Sequence, residues 1–509
     1  MRNFLKMVVG RRESHQNTAR NIAWNYIGYI YRIGINLALT AYIVRRVSVV
    51  EYGLFLFISS LSATLYFLDL GLSDVLVQAY VDTASRFDPD RLNELIGTVF
   101  LALAALGAVG MLSFGVFAAI LPGPFNIPAA YAHEASMICI LAALVVQVTL
   151  PGIALEQAYQ ASHRFDRINQ IQVLSSTVHL ALSVAVLATG HGIVALAIVQ
   201  LASSGLRLLL LAAGLSASVP QARLTLRRFN RSLLMPLIGL SKWAFLNNLS
   251  VSLFDLVAWI LLGSLGSMRE AAIFGLASKL PEQLWNMIDK GASVALPSLS
   301  RSWAEGDLAG LQRTFLRCQK LLFGAVLPFV VLGALVAHPL IEVWAGRQYA
   351  SASLVMQFLL LGTVSHAAGY SSNQLLYACG QVKQATKIAL WEYGLSVAFA
   401  LPLIHRYGAG GLAAAMTITQ LLVNFGWLTR GACELSRVLP RDLLRQIIDG
   451  LSKPVAVLAA ELLILWSISS HLPPIQVVMT SVLCGCIYMG VWGMHTALPI
   501  YRGQTEITA

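Results

Sequence analysis

The stretch EYGLFLFISSLSATLYFLDLGLSD (51–74) returns 219 to 220 residues later as EAAIFGLASKLPEQLWNMIDKGASV (270–294). Glu51 falls on Glu270. LDLGLSD (68–74) falls on IDKGASV (288–294), which aligns Asp69 with Asp289, Gly71 with Gly291 and Ser73 with Ser293. The match continues outward: Tyr159 falls on Tyr377, just before two short basic loops. Gly190 and Gly192 fall on Gly408 and Gly410 in tight turns, each followed by an Ala-rich helix. Features in the same order at shifts of 218 to 220 residues define an internal repeat.

The chain of 509 residues is 57% apolar and 12% charged, with a mean hydropathy of +0.70. In soluble domains about a quarter of residues are charged, so a water-soluble multidomain enzyme is excluded. Apolar stretches of roughly 18 to 27 residues recur along the chain, each long enough to cross about 30 Å of hydrocarbon as a helix. They lie at 21–44, 54–80, 95–121, 135–158, 168–189, 193–215, 240–262, 271–297, 319–344, 353–377, 386–405, 410–433, 454–470 and 476–498. Rich in Leu, Ala, Ile and Gly without alternation, they read as helices, which satisfy their own backbone groups in lipid. The expected fold is an all-α polytopic membrane protein of about fourteen transmembrane helices. The longest outside loop, 122–134, is too short to house a catalytic domain, which argues against a polytopic polymerase, ligase or glycosyltransferase. The six cysteines are scattered and suggest neither a disulfide framework nor a metal site.

The formal net charge is +11, and its placement sets the orientation. Of 35 Lys and Arg residues, twenty-five fall on the side of the N-terminus and five on the other (Arg45, Arg46, Arg269, Arg347 and Arg406). The positive-inside rule then places both termini in the cytoplasm. The first 20 residues are basic and lead into no short apolar core with a cleavage site, so no cleaved signal peptide is expected. Each repeat copy holds six spans. An even number gives both copies the same orientation, related by an axis along the membrane normal. The expected domains are an N-terminal lobe over 1–215, a basic cytoplasmic linker over 216–239, a C-terminal lobe over 240–434, and two extra spans with a short tail over 435–509. Two like-oriented lobes are a transporter architecture. The linker stretch RLTLRRFNR (223–231) reads equally as a contact with anionic headgroups or as a topological anchor.

Charges inside spans are expensive and mark candidate sites. Arg32 lies about 11 residues into the first span, near the midplane, and either lines a cavity or belongs to a structural pair. Asp255 lies at a similar depth in the seventh span, where the first lobe carries Asn36. Asp69 and Asp289 head the repeated D-x-G-x-S pattern. That pattern either breaks a helix and caps the next segment, or contacts an ion or the substrate. The eighth span carries Lys279, Glu282, Asp289 and Lys290. Lys279 and Glu282 share a face, so either they neutralise each other or Lys279 faces an anionic headgroup. Glu156, Arg207, Glu392 and Glu461 read as local packing partners, and His179, His366 and His495 as isolated hydrogen-bonded residues. Pro151, Pro281, Pro328 and Pro402 predict kinks.

The basic N-terminus, VSVVEYGLFLFISSL (47–61) and LDLGLSDVLVQAY (68–80) resemble the N-terminal signature of the bacterial Wzx-type polysaccharide flippases. YQASHRFDRIN (159–169), LPSLSRSWAEGDLAGLQR (296–313) and PLIEVWAGRQYASA (339–352) are similar to that family's later loops, so the resemblance covers most of 15–435. It implies membership of the multidrug/oligosaccharidyl-lipid/polysaccharide exporter (MOP) superfamily. It further implies translocation of an undecaprenyl-pyrophosphate-linked oligosaccharide from the cytoplasmic to the periplasmic leaflet of the inner membrane, for O-antigen or exopolysaccharide synthesis. Membrane lipids, a polysaccharide polymerase and a chain-length regulator are the implied partners. Neither a cofactor nor a metal is expected beyond a coupling proton or sodium ion. A pyrophosphate needs positive charge along its path, and Arg32, Lys279 and Lys290 are the candidates. Asp69, Asp255 and Asp289 are the candidates for ion coupling. A multidrug exporter and a lipid II flippase of the same superfamily are the nearest rivals.

Overall fold

The computed structural model describes residue 28 and residues 31–85, 89–121, 123–219, 222–226, 229–469 and 472–497. Among these residues the structure is helical, with no strand. Among the described residues, each of the fourteen apolar segments falls largely on helix, and nine helical stretches are long and apolar enough to cross a membrane, a multi-pass architecture. The chain separates into two compact units, Met1–Gly263 and Ser264–Ala509.

In the first unit, α1 (Tyr31–Val44) is followed by α2 (Val49–Ala63). Ser48 starts α2 with a reciprocal cap: its hydroxyl accepts from Glu51 N, and the Glu51 carboxylate accepts from Ser48 N at 2.7 Å. The segment expected as one span over 54–80 is broken. After α2 comes a 3₁₀ turn, Thr64–Asp69, then α3 (Leu72–Ser85). Next come α4 (Pro89–Ile120), α5 (Ala132–Ala161), α6 (Phe165–Ala188), α7 (Ile193–Ser218) and α8 (Arg231–Leu265). Helix α5 is central and packs against α2, α3, α4 and α7. Leu72, Leu76 and Tyr80 of α3, Leu95 and Val99 of α4, Leu155 and Tyr159 of α5 and Leu211 of α7 bury one another.

The expected linker is not free. Thr225 lays its carbonyl against Gly97, where any side chain would collide with it. Asn230 N donates to Thr98 Oγ1 at 3.1 Å, and the Asn230 amide donates to Glu94 at 3.2 Å. The described part of the segment is thus fastened along α4.

The second unit repeats the plan: α9 (Met268–Ser293), the short α10 (Leu296–Ala304), α11 (Leu308–Leu335), α12 (Ala337–Trp344), α13 (Ala352–Ala378) and α14 (Val382–Gln420). A π-helical segment, Leu421–Leu428, runs into α15 (Thr429–Ser436), and the hairpin of α16 (Pro440–Ser469) and α17 (Pro474–Trp492) follows. Here α13 holds the place of α5, packed against α9, α11 and α14. Ser267 caps α9 at Glu270 N as Ser48 caps α2, but the Glu270 carboxylate reaches across to accept from Ala409 N at 2.6 Å. That acceptor holds the turn inside α14, where Gly408 has φ +56°. Beyond the spans, burial pushes the Tyr349 phenol up, and nearby Arg269 draws it partly back.

The repeated D-x-G-x-S pattern folds in two ways. In the first unit Leu70 (φ +55°) and Gly71 (φ +69°) are left-handed and end the helical run. Asp69 caps the break: Gly71 N donates to Oδ1 at 2.8 Å and Ser73 Oγ to Oδ2 at 2.6 Å. In the second unit α9 continues through Asp289 and Gly291 to Ser293, and the break falls at Val294. The expectation that Asp289 heads an equivalent helix break is corrected: Lys290 and Gly291 stay helical, so the carboxylate has no bare backbone donors to cap.

Candidate functional site

Freed from capping, Asp289 faces α13. Its Oδ1 lies 2.9 Å from His366 Nε2, in a pair whose side chains are 38% and 23% exposed. The His366 ring stacks on Trp285 with centroids 5.3 Å apart and planes at 26°, and the Tyr370 ring lies 5.7 Å from it, tilted by 35°. Trp285 Nε1 donates to Thr363 Oγ1 at 3.0 Å, which fixes the indole. Glu282 accepts from Ser278 Oγ at 2.8 Å. The cluster arises from two helical faces. Glu282, Trp285 and Asp289 follow the i, i+3, i+7 stripe of α9, and Thr363, His366 and Tyr370 the same stripe of α13.

Its chemistry follows from the acid–imidazole pair. Where the imidazole carries its proton on Nε2 it donates to the Asp289 carboxylate, and Nδ1 is left as the second polar atom of the ring. The flanking indole and phenol present flat, partly polar surfaces of the type on which sugar rings and cations rest.

Of the residues singled out by sequence, Lys279, Asp289 and Lys290 lie on α9, with Lys279 half-buried and Lys290 exposed in the last turn. Among the described residues Lys279 forms no ion pair with Glu282, whose carboxylate takes the Ser278 hydroxyl, so of the two readings of Lys279 the structure does not show the neutralising pair. The first unit holds the others. Arg32 on α1 is half-buried, with Nε donating to Gly28 O at 3.3 Å. Asp69 is buried with both oxygens engaged. Asp255 lies on α8, and its side chain is outside the described residues. Glu156 and Arg207, assigned separately to local packing, are partners in one ion pair between α5 and α7. Sequence reasoning passes over Trp285 and Tyr370 and takes His366 as isolated. The signal for them is the shared 3-and-4 spacing on α9 and α13, which acquires meaning once those two helices are known to pack.

The fold is similar to that of solved MOP-superfamily transporters. An inward-facing multidrug resistance transporter of the MATE family matches with a TM-score of 0.69 and 15% identity, over 80% of this chain and 99% of its own. The lipid II flippase MurJ, in an inward closed conformation, matches with a TM-score of 0.71 and 12% identity, over 93% of this chain and 99% of its own. A MOP-superfamily transporter from Pyrococcus furiosus, described as having a binding pocket of reverse polarity, matches with a TM-score of 0.58 and 14% identity, over 82% and 95%. At these identities the likeness is one of fold. No curated protein matches the chain. A family model described as polysaccharide biosynthesis protein matches residues 43–354, more than half of the sequence, and the chain belongs to that family.

Proposed function

We propose that the protein is a flippase. It carries an undecaprenyl-pyrophosphate-linked oligosaccharide from the cytoplasmic to the periplasmic leaflet of the bacterial inner membrane, for surface polysaccharide synthesis. The observation that carries this reading is membership of the polysaccharide biosynthesis family in a chain with the MOP-superfamily fold. Sugars and a pyrophosphate do not cross hydrocarbon unaided, because each unsatisfied polar group costs several kcal/mol there, roughly 4–8 for an amide or hydroxyl. A path with fixed positive charge answers that cost, and Arg32, Lys279 and Lys290 supply it. Both termini lie in the cytoplasm, and a polymerase and a chain-length regulator in the same membrane receive the product.

Transport runs by alternating access, driven by a proton or sodium gradient. Among the acidic candidates Asp289 suits coupling better than Asp69. Its hydrogen-bond partner is an imidazole, whereas both Asp69 oxygens are taken up by local caps. Asp289→Asn and His366→Gln are each expected to lower transport at least tenfold with membrane levels unchanged, measured as delivery of lipid-linked repeat units to the periplasmic leaflet. Full transport by both variants removes the coupling assignment.

Deleting the gene is expected to abolish surface polysaccharide while lipid-linked repeat units build up on the cytoplasmic side. Normal polysaccharide with heightened sensitivity to cationic dyes would instead identify a multidrug exporter. Loss of cell-wall precursor delivery would identify a lipid II flippase.

A further inference from the structure

The C-terminal hairpin contains a carboxyl group without a described partner. Glu461 of α16 is 5% exposed, and neither of its oxygens has a hydrogen-bond partner among the described residues. It sits between Leu458 and Leu465 on the face of α16 that packs, with Cys484 and Tyr488 of α17, against Leu332 of α11. The Tyr488 hydroxyl is also buried without a partner among the described residues, and Tyr488 and Cys484 belong to the same packed cluster as Leu458 and Leu465. Tyr488 and Cys484 are the ionisable groups that face it from α17, and α11 offers Leu327, Val331 and Leu332. The other charged or titratable groups of the neighbourhood are distant along the helix. Lys453 is exposed two turns away. Lys320 of α11 lies against Gly450, and the Thr496 hydroxyl donates to Gly450 O, so the adjacent His495 belongs to that same end, about 16 Å from Glu461 at 1.5 Å per residue.

An ionised carboxylate in an apolar, lipid-surrounded contact with no cation and no hydrogen bond among the described residues is far costlier than the neutral acid. We propose that Glu461 is a proton-binding site outside both repeat copies. In the packed hairpin its carboxyl group carries a proton. When α16 and α17 part from α11 far enough to admit water, the O–H bond breaks and the proton leaves to water. Proton occupancy and hairpin packing are therefore linked: packing is complete where the acid stays protonated, and weakens as rising pH removes that proton. The ligand is a proton, and the device is separate from the Asp289–His366 pair on α9 and α13, so it stands whether or not the protein is a flippase.

The direct test is infrared spectroscopy of the purified full chain in lipid, wild type minus Glu461→Gln. A protonated-carboxyl stretch at neutral pH that is absent from the variant is expected, and carboxylate intensity alone at neutral pH overturns the proposal. A second measurement needs only the native cysteines. Cys484 is buried and Cys486, two residues on, is exposed. Dividing Cys484 alkylation by that of Cys486 removes the reagent's own pH dependence. The ratio is expected to rise with pH in the wild type, by up to about tenfold per unit for one linked proton, and to stay flat in Glu461→Gln. A flat ratio in the wild type, or an equal rise in both proteins, overturns the link to hairpin packing.

Discussion

Two aspartates in equivalent sequence positions do different work because of the two residues that follow each. After Asp69 the chain goes left-handed at Leu70 and Gly71, exposing backbone and hydroxyl donors that both carboxylate oxygens take up. Asp69→Ala is expected to lower stability by about 1 kcal/mol, the usual value of a cap, seen as a lower midpoint of thermal unfolding in detergent. Asp289→Asn should leave that midpoint nearly unchanged, since the amide still bonds His366. The Glu156–Arg207 pair is half-buried in the spans, so removing one partner strands the other. Glu156→Leu alone is expected to destabilise by about 2 kcal/mol, and the added Arg207→Met to recover at least half of that, checked by a double-mutant cycle. The cap at Asp69 is legible from the residues as one of two readings, but its absence at Asp289 is not. The D-x-G-x-S letters are the same in both copies, and the outcome depends on whether the following glycine is left-handed.

At the scale of the element, two glycines hold segments by close approach. Gly97 lets the stretch after α7 lie on α4 through Thr225, and Gly97→Ala is expected to cost about 2 kcal/mol by forcing the two backbones apart, with faster proteolysis within 219–230 as the measurable sign. Gly408 combines a positive φ with the Glu270 carboxylate resting on it, so Gly408→Ala meets both a strained backbone and a collision. Its loss of thermal stability should exceed that of Glu270→Gln, which keeps an oxygen to accept from Ala409 N. Spans were legible because length and hydropathy fix them. Their ends were not, because a cap or a single left-handed residue decides where a helix stops. The span expected over 54–80 is therefore split at Leu70, and the one expected over 319–344 ends at Leu335 with α12 standing apart.

At the scale of the molecule, a weak self-similarity at about 219 residues corresponds to a shared packing plan, with α5 and α13 each at the centre of a unit. Large-scale order was readable because the turn glycines and the pair Glu51 and Glu270 recur at nearly fixed offsets. The candidate site was readable only in part, as Asp289, because its other members are ordinary core-like aromatics and a histidine. The two units differ at this position. An Asp289–His366 pair is described in the second unit, and the matching aspartate of the first, Asp69, is held as a cap. Converting the second copy to the first needs one change, Lys290→Leu, since Gly291 and Ser293 already match; because Lys290 is also a candidate path charge, Lys290→Gln is the control, and transport lower in Lys290→Leu than in Lys290→Gln is expected only if the helix breaks at Asp289. A circular-dichroism loss of about one helical turn together with that impairment is the expected result, and full activity despite the break would detach coupling from this pair.

The π-helical segment Leu421–Leu428 bears on tolerance to length change. A ladder that closes from i to i+5 holds one residue more than an α-helical turn needs, so the chain there carries slack that α7, its counterpart in the first unit, does not. Deleting Gly426 lets the segment relax to α geometry and keeps the residues on either side facing their partners. Deleting Ser204 from α7 rotates everything after it by about 100°. Length variation among natural relatives of this protein is therefore expected to collect at 421–428 and to avoid the middle of α7.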